Sequence, residues 1–400
     1  MNILVFCQYY YPEPFRISDI CEELVKRGHS ITVVTGEPNY PEGEVYKGYE
    51  NHIIQKETIN GVKIIRCPII PRKKGVAYRL LNYFSYPYHA KKIVRKGLPH
   101  DSGKPFDIAF VNQLSPVMMA EPALLYKRKY GVPVALYCLD LWPESLVAGG
   151  IGRTSPVFKV FHAISKKIYT KADRIMVSSR GFCSYLAKEF GISAEMMEYL
   201  PQYAEDSFSY IGKNDKKDNV INLLFAGNIG AAQSVQTILE AAEKLKGEPV
   251  LFHIVGGGVE LESLKELAEK KALENVRFYG RRPVEDMPDF YDMADAMLVT
   301  LKDDPALSQT LPGKVQSYMA AGKPVIGAIS GETKAVIDDA ACGFCGPAED
   351  SGELAKNIKK FIDYEEKEEL GKQAKNYYNM YFKKEVFLGN LEAVFAALTK

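Results

Sequence analysis

A chain of 400 residues exceeds what one hydrophobic core usually serves, so two domains of similar size are the default. With 46% hydrophobic and 25% charged residues the composition is that of a soluble globular protein, and a net charge of +1 gives no global attraction to nucleic acid. No run of about 18 apolar residues exists to span a membrane, and the N-terminus enters a strand without a basic leader, so neither a span nor a signal peptide is expected.

In chain order, strand NILVFC is followed by a proline-rich loop, QYYYPEPFR, then the amphipathic helix ISDICEELVKRG stopped by Gly28, and the strand HSITVVTG. Next come VKIIRC, FDIAFVN with a helix around AEPALLYKRKYG, PVALYCLD, and ADRIMVSS with GFCSYLAKEFG. Alternating strands and helices predict a mainly parallel sheet with ligands at its carboxyl ends. The polar, aperiodic stretch AEDSFSYIGKNDKKDN marks a linker, placed at residues 205–218, and bounds an N-terminal domain over 1–204. The pattern then restarts as NLLFAG, VQTILEAAEKLKG, VLFHIVGG, ELESLKELAEKKAL, NVRFYG, MPDFYDMA, DAMLVT and VIGA, giving a second domain over 219–374. A helical segment over 375–400 ends the chain.

Charge is uneven. Residues 1–200 hold 27 Lys and Arg against 18 Asp and Glu, so the halves carry +9 and −8. The run from Thr58 to His100 has ten cations, no acid, and the interleaved Tyr78, Tyr83, Phe84, Tyr86 and Tyr88. Such a surface suits anionic headgroups, with tyrosines at the interface. Seven cysteines, an odd number in apolar or helical contexts, suit a reducing, cytoplasmic compartment. Cys342 and Cys345 form a lone CxxC without the second pair a zinc site needs, there is no Asp-x-Asp, and His29 reads as structural, so neither a metal nor a cofactor is expected.

The stretch LPGKVQSYMAAGKPVIG, Leu311 to Gly327, reads as a helix with Thr310 as cap, Pro312 in the first turn, and Gly322 with Pro324 as the stop. A helix N-terminus beyond a short polar loop aims its unpaired N–H groups at one point and favours phosphate there. Gly227 and Gly230, around Asn228 and Ile229, follow a strand and allow close backbone approach. Gly256, Gly257 and Gly258 end another strand, but they do not form GxGxxG, which disfavours a nicotinamide enzyme.

Together these segments resemble the retaining nucleotide-sugar glycosyltransferases of family 4. The resemblance rests on YYPEPFRISDICEELVKRGHSITVVTG, PNYPEGEVYKGY, LDLWPES, LPQYAED, FAGNIG, IVGGG, VRFYGRRPVEDMP and LPGKVQSYMAAGKPVIG with SGE behind it. Within that family it looks most like the subgroup assembling capsule, O-antigen or colanic acid units, often with an N-acetylated amino sugar. The resemblance implies a GT-B fold, two Rossmann-like doubly wound domains facing a cleft. The donor, a UDP-sugar, would bind the C-terminal domain, and a lipid-linked (undecaprenyl pyrophosphate) glycan acceptor the N-terminal one. The last helix would return to the N-terminal domain.

Carried over, the resemblance places Gly230 against the donor diphosphate, Arg281 and Arg282 beside the nucleobase, and Glu332 facing the donor. Two departures stand out. Where the family often has two glutamates this chain has Gln309 and Ser317, and where many relatives have Arg and Lys it has Asn228 and Gln233. Lys314, at the helix start, is the natural replacement cation for the diphosphate. Asp140, ending PVALYCLD, and Glu144 just beyond it are candidate acceptor-side carboxylates, with a cap or turn role as the other reading of each, the functional one favoured for Asp140 and the structural one for Glu144. Arg16, after the first strand, is a candidate for a donor phosphate, or for a salt bridge. The enzyme is expected to be metal-independent, to bind no nucleic acid, and to sit on the inner face of the plasma membrane through residues 58–100. Two alternatives stay open, a UDP-sugar 2-epimerase, which should show cleft histidines and epimerise donor alone, and a non-catalytic partner subunit, which would bind nucleotide without turnover.

Overall fold

The computed structural model describes residues 1–72, 75–98, 105–148, 150–210 and 220–400. Lys73, Lys74 and His100 of the basic run, and residues 211–218 of the expected linker, lie outside the described residues. The chain forms two compact units: Met1–Ser178 with Phe182–Leu200 and Leu388–Lys400, and Ser179–Gly181 with Pro201–Phe387.

The first unit is built on strands β1 (Asn2–Phe6), β2 (Ser30–Gly36), β3 (Gln55–Ile59), β4 (Val62–Cys67), β5 (Ile108–Gln113), β6 (Val134–Cys138), β7 (Arg174–Val177) and β8 (Met197–Tyr199). Their order is β3-β4-β2-β1-β5-β6-β7-β8. All neighbours pair in parallel except β3 with β4. Helices α1 (Ile17–Lys26), α2 (Val76–Lys96), α3 (Glu121–Tyr130), α4 (Glu144–Ala148), α5 (Pro156–Tyr169) and α6 (Arg180–Phe190) connect them. Because helices cover a parallel sheet on both faces, β1, β5 and β6 are built on the apolar runs ILVF, IAFV and VALYC, and every residue of the three strands but Asn2 is buried. Trp142 anchors the core, its ring 5.4 Å from Tyr83 and 5.5 Å from Phe161.

Three elements escaped the periodic reading. The β3–β4 hairpin turns through Asn60 and Gly61, both at positive φ, and this Asn-Gly pair was its available signal. Helix α2 occupies much of the basic run. Pro87 within it, an N-cap without a side-chain hydrogen bond, and the absence of acid in its first turn mask its helical character. Helix α5 starts at Ser155, whose hydroxyl accepts the Val157 N–H, with Pro156 at its first position.

The second unit carries β9 (Ile221–Ala226), β10 (Val250–Val255), β11 (Val276–Gly280), β12 (Ala296–Thr300), β13 (Val325–Ala328) and β14 (Gly343–Gly346), in the order β11-β10-β9-β12-β13-β14, all parallel. Helices α7 (Gln236–Lys244), α8 (Leu261–Lys270), α9 (Met287–Met293), α10 (Gly313–Ala320), α11 (Glu332–Asp339), α12 (Ser351–Asp363) and α13 (Lys367–Tyr381) accompany it. The last helix, α14 (Lys384–Leu398), has its residues from Leu388 onward grouped with the first unit, where Phe395 meets Phe110 and Glu392 accepts from His29 and Arg27. Among the described residues no helix is long and apolar enough to cross a membrane, and no three metal-binding side chains converge.

Candidate functional site

In each sheet one pair of neighbouring strands sends its connections in opposite directions. In the second sheet this pair is β9 and β12, and in the first it is β1 and β5. At such a switch point the loops beyond the carboxyl ends part and leave a crevice. The loops after β9 and β12 are therefore the ones that can receive a ligand on the second unit, and most of the donor candidates fall on them or on their neighbours along that edge.

The loop after β9 is pinned from beside it. The Gly227 N–H donates to Val255 O at 2.9 Å and the Ile229 N–H to Gly257 O at 2.9 Å. Gly256 has φ +149, and a Cβ there would lie 1.8 Å from the Gly227 carbonyl oxygen, so only glycine lets the two loops approach. Asn228 and Gln233 meet each other: Asn228 Nδ2 donates to Gln233 Oε1 at 3.2 Å, across Gly230. Arg281, exposed at the end of β11, has its Cβ 3.3 Å from the Cβ position of Gly257.

Lys314 enters this loop from beneath. It is the second residue of α10, and its Nζ lies 3.8 Å from the centre of the Phe225 ring and 2.8 Å from where a Gly227 Cβ would be. The amine is buried and has no hydrogen-bond partner among the described residues. Burial alone lowers its pKa from 10.5 to about 7. A buried cation without a partner is costly, and the cation–π contact recovers only part of that cost. An anion at the start of α10 would meet the positive helix end, the glycine loop and this amine together.

The cap expected for α10 differs from the one observed. Pro312, not Thr310, is the N-cap, and the Thr310 hydroxyl donates to Leu307 O at 2.7 Å, closing the preceding turn. Gly322, at φ +66, ends the helix as expected. Ser317 is buried and its hydroxyl donates back to Gly313 O at 3.3 Å. Gln309 donates through Nε2 to Pro305 O at 2.9 Å, and its backbone carbonyl accepts the Ser179 hydroxyl. Glu332, opening α11, accepts the Arg180 N–H at 3.2 Å.

On the first unit, Asp140 follows β6 and is half-buried. Its Oδ1 accepts the Ser145 hydroxyl at 2.6 Å, and burial raises its pKa against the lowering effect of that bond and of bonds from Trp142, Leu141 and Ser115. Glu144 is different. It is 3% exposed, with Oε1 accepting from Tyr185 at 2.8 Å and Oε2 from Arg153 at 2.9 Å, so both oxygens are engaged in packing. Asp140 is thus the more open of the two carboxylates. Arg16 is the half-buried N-cap of α1, beside the β1–β5 switch point.

Two family models now account for both units. The family described as "Glycosyl transferase 4-like domain" matches residues 15–202, and "Glycosyl transferases group 1" matches residues 206–377. The chain belongs to the family 4 glycosyltransferases. WcaI of Escherichia coli strain K12, which carries the name of a colanic acid biosynthesis glycosyl transferase, is 26% identical over 80% of this chain and 82% of its own length. WbjE of Pseudomonas aeruginosa, named as a glycosyltransferase, is 26% identical over 62% of this chain and 64% of its own. Among solved structures, Anabaena HepE in complex with UDP and glucose superposes with a TM-score of 0.69 over 99% of both chains at 16% identity, a likeness of fold. This glycosyltransferase therefore has the GT-B fold of two parallel-sheet α/β domains.

Sequence reasoning missed several groups of this glycosyltransferase. Glu349 accepts the Asp303 N–H at 3.0 Å and the Ser234 hydroxyl at 3.4 Å, strapping the loops after β9 and β12 to the one after β14. It lies at φ +61 in a charged surface stretch, which reads as an ordinary solvated face. On the first unit, Glu13 is buried and accepts the N–H groups of Tyr10, Asn39 and Tyr40, yet burial still lifts its pKa to about 7. Its position between two prolines was the available signal, since a carboxylate in so constrained a loop serves backbone donors readily.

Proposed function

We propose that this glycosyltransferase moves a sugar, specifically an N-acetylated amino sugar, from a UDP-sugar to a lipid-linked (undecaprenyl pyrophosphate) glycan during assembly of a surface polysaccharide. The observation that carries the donor half is the buried, partnerless Lys314 amine under the Gly227 loop at the start of α10. It supports a diphosphate as the missing counter-charge, and the UDP in the HepE structures supports the same choice of donor. The name carried by WcaI supports the polysaccharide context.

In this reading α10, the Gly230 loop and Lys314 stabilise the diphosphate as it leaves and gains charge, so no metal is needed. Attack comes on the same face, with retention, and a leaving phosphate oxygen takes the acceptor proton. Asp140 positions the acceptor hydroxyl on that same face, and Arg281, Asn228, Gln233, Gln309 and Glu332 border the donor. The acceptor is membrane-bound, and the protein meets the cytoplasmic leaflet through α2, whose exposed face carries Tyr78, Leu81, Phe84 and Tyr88 with Lys92 and Arg95 nearby.

The decisive experiment is transfer of radiolabelled N-acetylhexosamine from the UDP-sugar to a lipid extract, with and without chelator. Label in the lipid fraction, insensitive to chelator, is expected. Epimerised donor without transfer, or complete and magnesium-reversible loss, would overturn the corresponding part.

A further inference from the structure

Helices α2, α3 and α5 form one layer of the first unit: α2 packs on α3, and the Phe84 and Phe161 rings, 6.2 Å apart, join α2 to α5. As crossover helices of a parallel sheet they run against the strands, so their C-terminal halves share the end of the unit opposite the edge bearing Asp140. The N-terminal halves of α2 and α5 expose Tyr78, Leu81, Phe84, Val157 and Val160. The C-terminal halves of α2 and α5, together with α3 along its length, line a cavity of about 840 Å³.

This cavity has an apolar lining from Leu124, Leu125, Ile164 and Ile168 and a cationic one around it. Lys91 pairs with Glu121, and Lys127 with Asp173 at 2.7 Å. Four further cations of the lining, Arg95, Arg128, Lys167 and Lys171, are exposed and have no acidic partner among the described residues. Arg95, Arg128 and Lys167 come from the last turns of three helices and Lys171 follows the last of them, so they do not form one stripe. Only Arg95 belongs to the basic run visible in the sequence.

We propose that this cavity binds the headgroup of a glycerophospholipid bearing two phosphates, of the diphosphatidylglycerol type. The proposal rests on the membrane reading above and deepens it. Four uncompensated cations match two phosphates better than one, and Arg95 and Arg128 offer planar forks suited to phosphate oxygens. The apolar lining receives the glyceryl and first acyl carbons, while the exposed apolar residues of α2 and α5 enter the interface beside it. Each cation near an anionic surface strengthens binding about fivefold, so four gathered around one headgroup exceed the general attraction of a basic face. The bound lipid would fix which face of the unit lies against the bilayer.

The test is co-sedimentation with phosphatidylcholine vesicles doped, at matched negative charge, with either phosphatidylglycerol or diphosphatidylglycerol. The full-length protein should bind the second at least several-fold more tightly. The triple variant Arg128→Gln, Lys167→Gln, Lys171→Gln, altered only at exposed side chains, should lose that preference while keeping salt-sensitive binding to both and an unchanged melting temperature. Equal binding to the two vesicles by wild type, or a preference that survives the triple substitution, would overturn the cavity and leave these cations serving only their helix ends. Failure to bind any anionic vesicle would overturn the membrane reading together with it.

Discussion

Replacing Lys314 by methionine should have two opposite effects. Methionine keeps the reach over Phe225 and removes the amine that burial holds at about 7, against an ordinary 10.5. That depression corresponds to about 5 kcal/mol, a ceiling, because the side chain can rotate outward for less. Lys314→Met should therefore stabilise the unliganded second unit by about 1 to 3 kcal/mol, or roughly 2 to 4 °C in Tm for each kcal/mol. The folded-state pKa lies below the unfolded one, so the penalty of the lysine is fully present below pH 7 and fades as pH rises to 10.5. The methionine advantage must follow the same course. Binding of UDP should weaken by about 1.5 to 3 kcal/mol in the variant. In wild type, pairing with the diphosphate restores the amine toward its ordinary pKa, so UDP binding takes up a proton and weakens as pH climbs from 7 to 9. Calorimetry in two buffers of different ionisation heat measures that uptake. Equal UDP affinity in wild type and variant, or no proton uptake at pH 8, would refute the assignment of Lys314 to the diphosphate.

The remaining expectations are narrower. Asp140→Asn should lower kcat at least 100-fold, about 2.7 kcal/mol of barrier, with UDP affinity near normal, and turnover close to wild type would return this residue to its turn with Ser145. Glu144→Gln should leave kcat within a few-fold but cost about 1 to 3 kcal/mol of stability in a urea melt, since the buried carboxylate holds Arg153 and Tyr185, and a collapse of kcat with unchanged stability would put it back in the active site. Gly256→Ala should abolish measurable UDP binding because its methyl would lie 1.8 Å from the Gly227 carbonyl, and unaltered calorimetry would show that the two loops are not locked.

Much of the architecture was legible because buried parallel strands leave long apolar runs, and NILVF and VALYC could hardly be anything else. The Gly227 loop and the α10 start were legible for a related reason, as glycine and proline mark where a strand gives way to a helix. Lys314 was visible as a cation but not as a buried one, since a lysine after glycine at a helix start reads as solvated. The Asn228–Gln233 contact depends on a loop bend that leaves no period in the sequence. Thr310 misled because a threonine two residues before the N-cap has several carbonyl partners in reach, and the nearer turn won its hydroxyl. Glu144 and Asp140 are indistinguishable on paper, and only the placement of Tyr185 and Arg153 separates them.

The Glu349 strap has a consequence for anyone who would change the sugar this enzyme accepts by exchanging segments with relatives. The stretch between β12 and α10 invites such grafting, yet its Asp303 amide shares one carboxylate with Ser234 in a second loop, and that carboxylate belongs to a third. A transplanted 301–312 segment would arrive without its fastening. Chimeras should therefore carry residues 227–235, 301–312 and 347–350 as a matched set, since a change in one of the three loosens the carboxylate that fastens the other two.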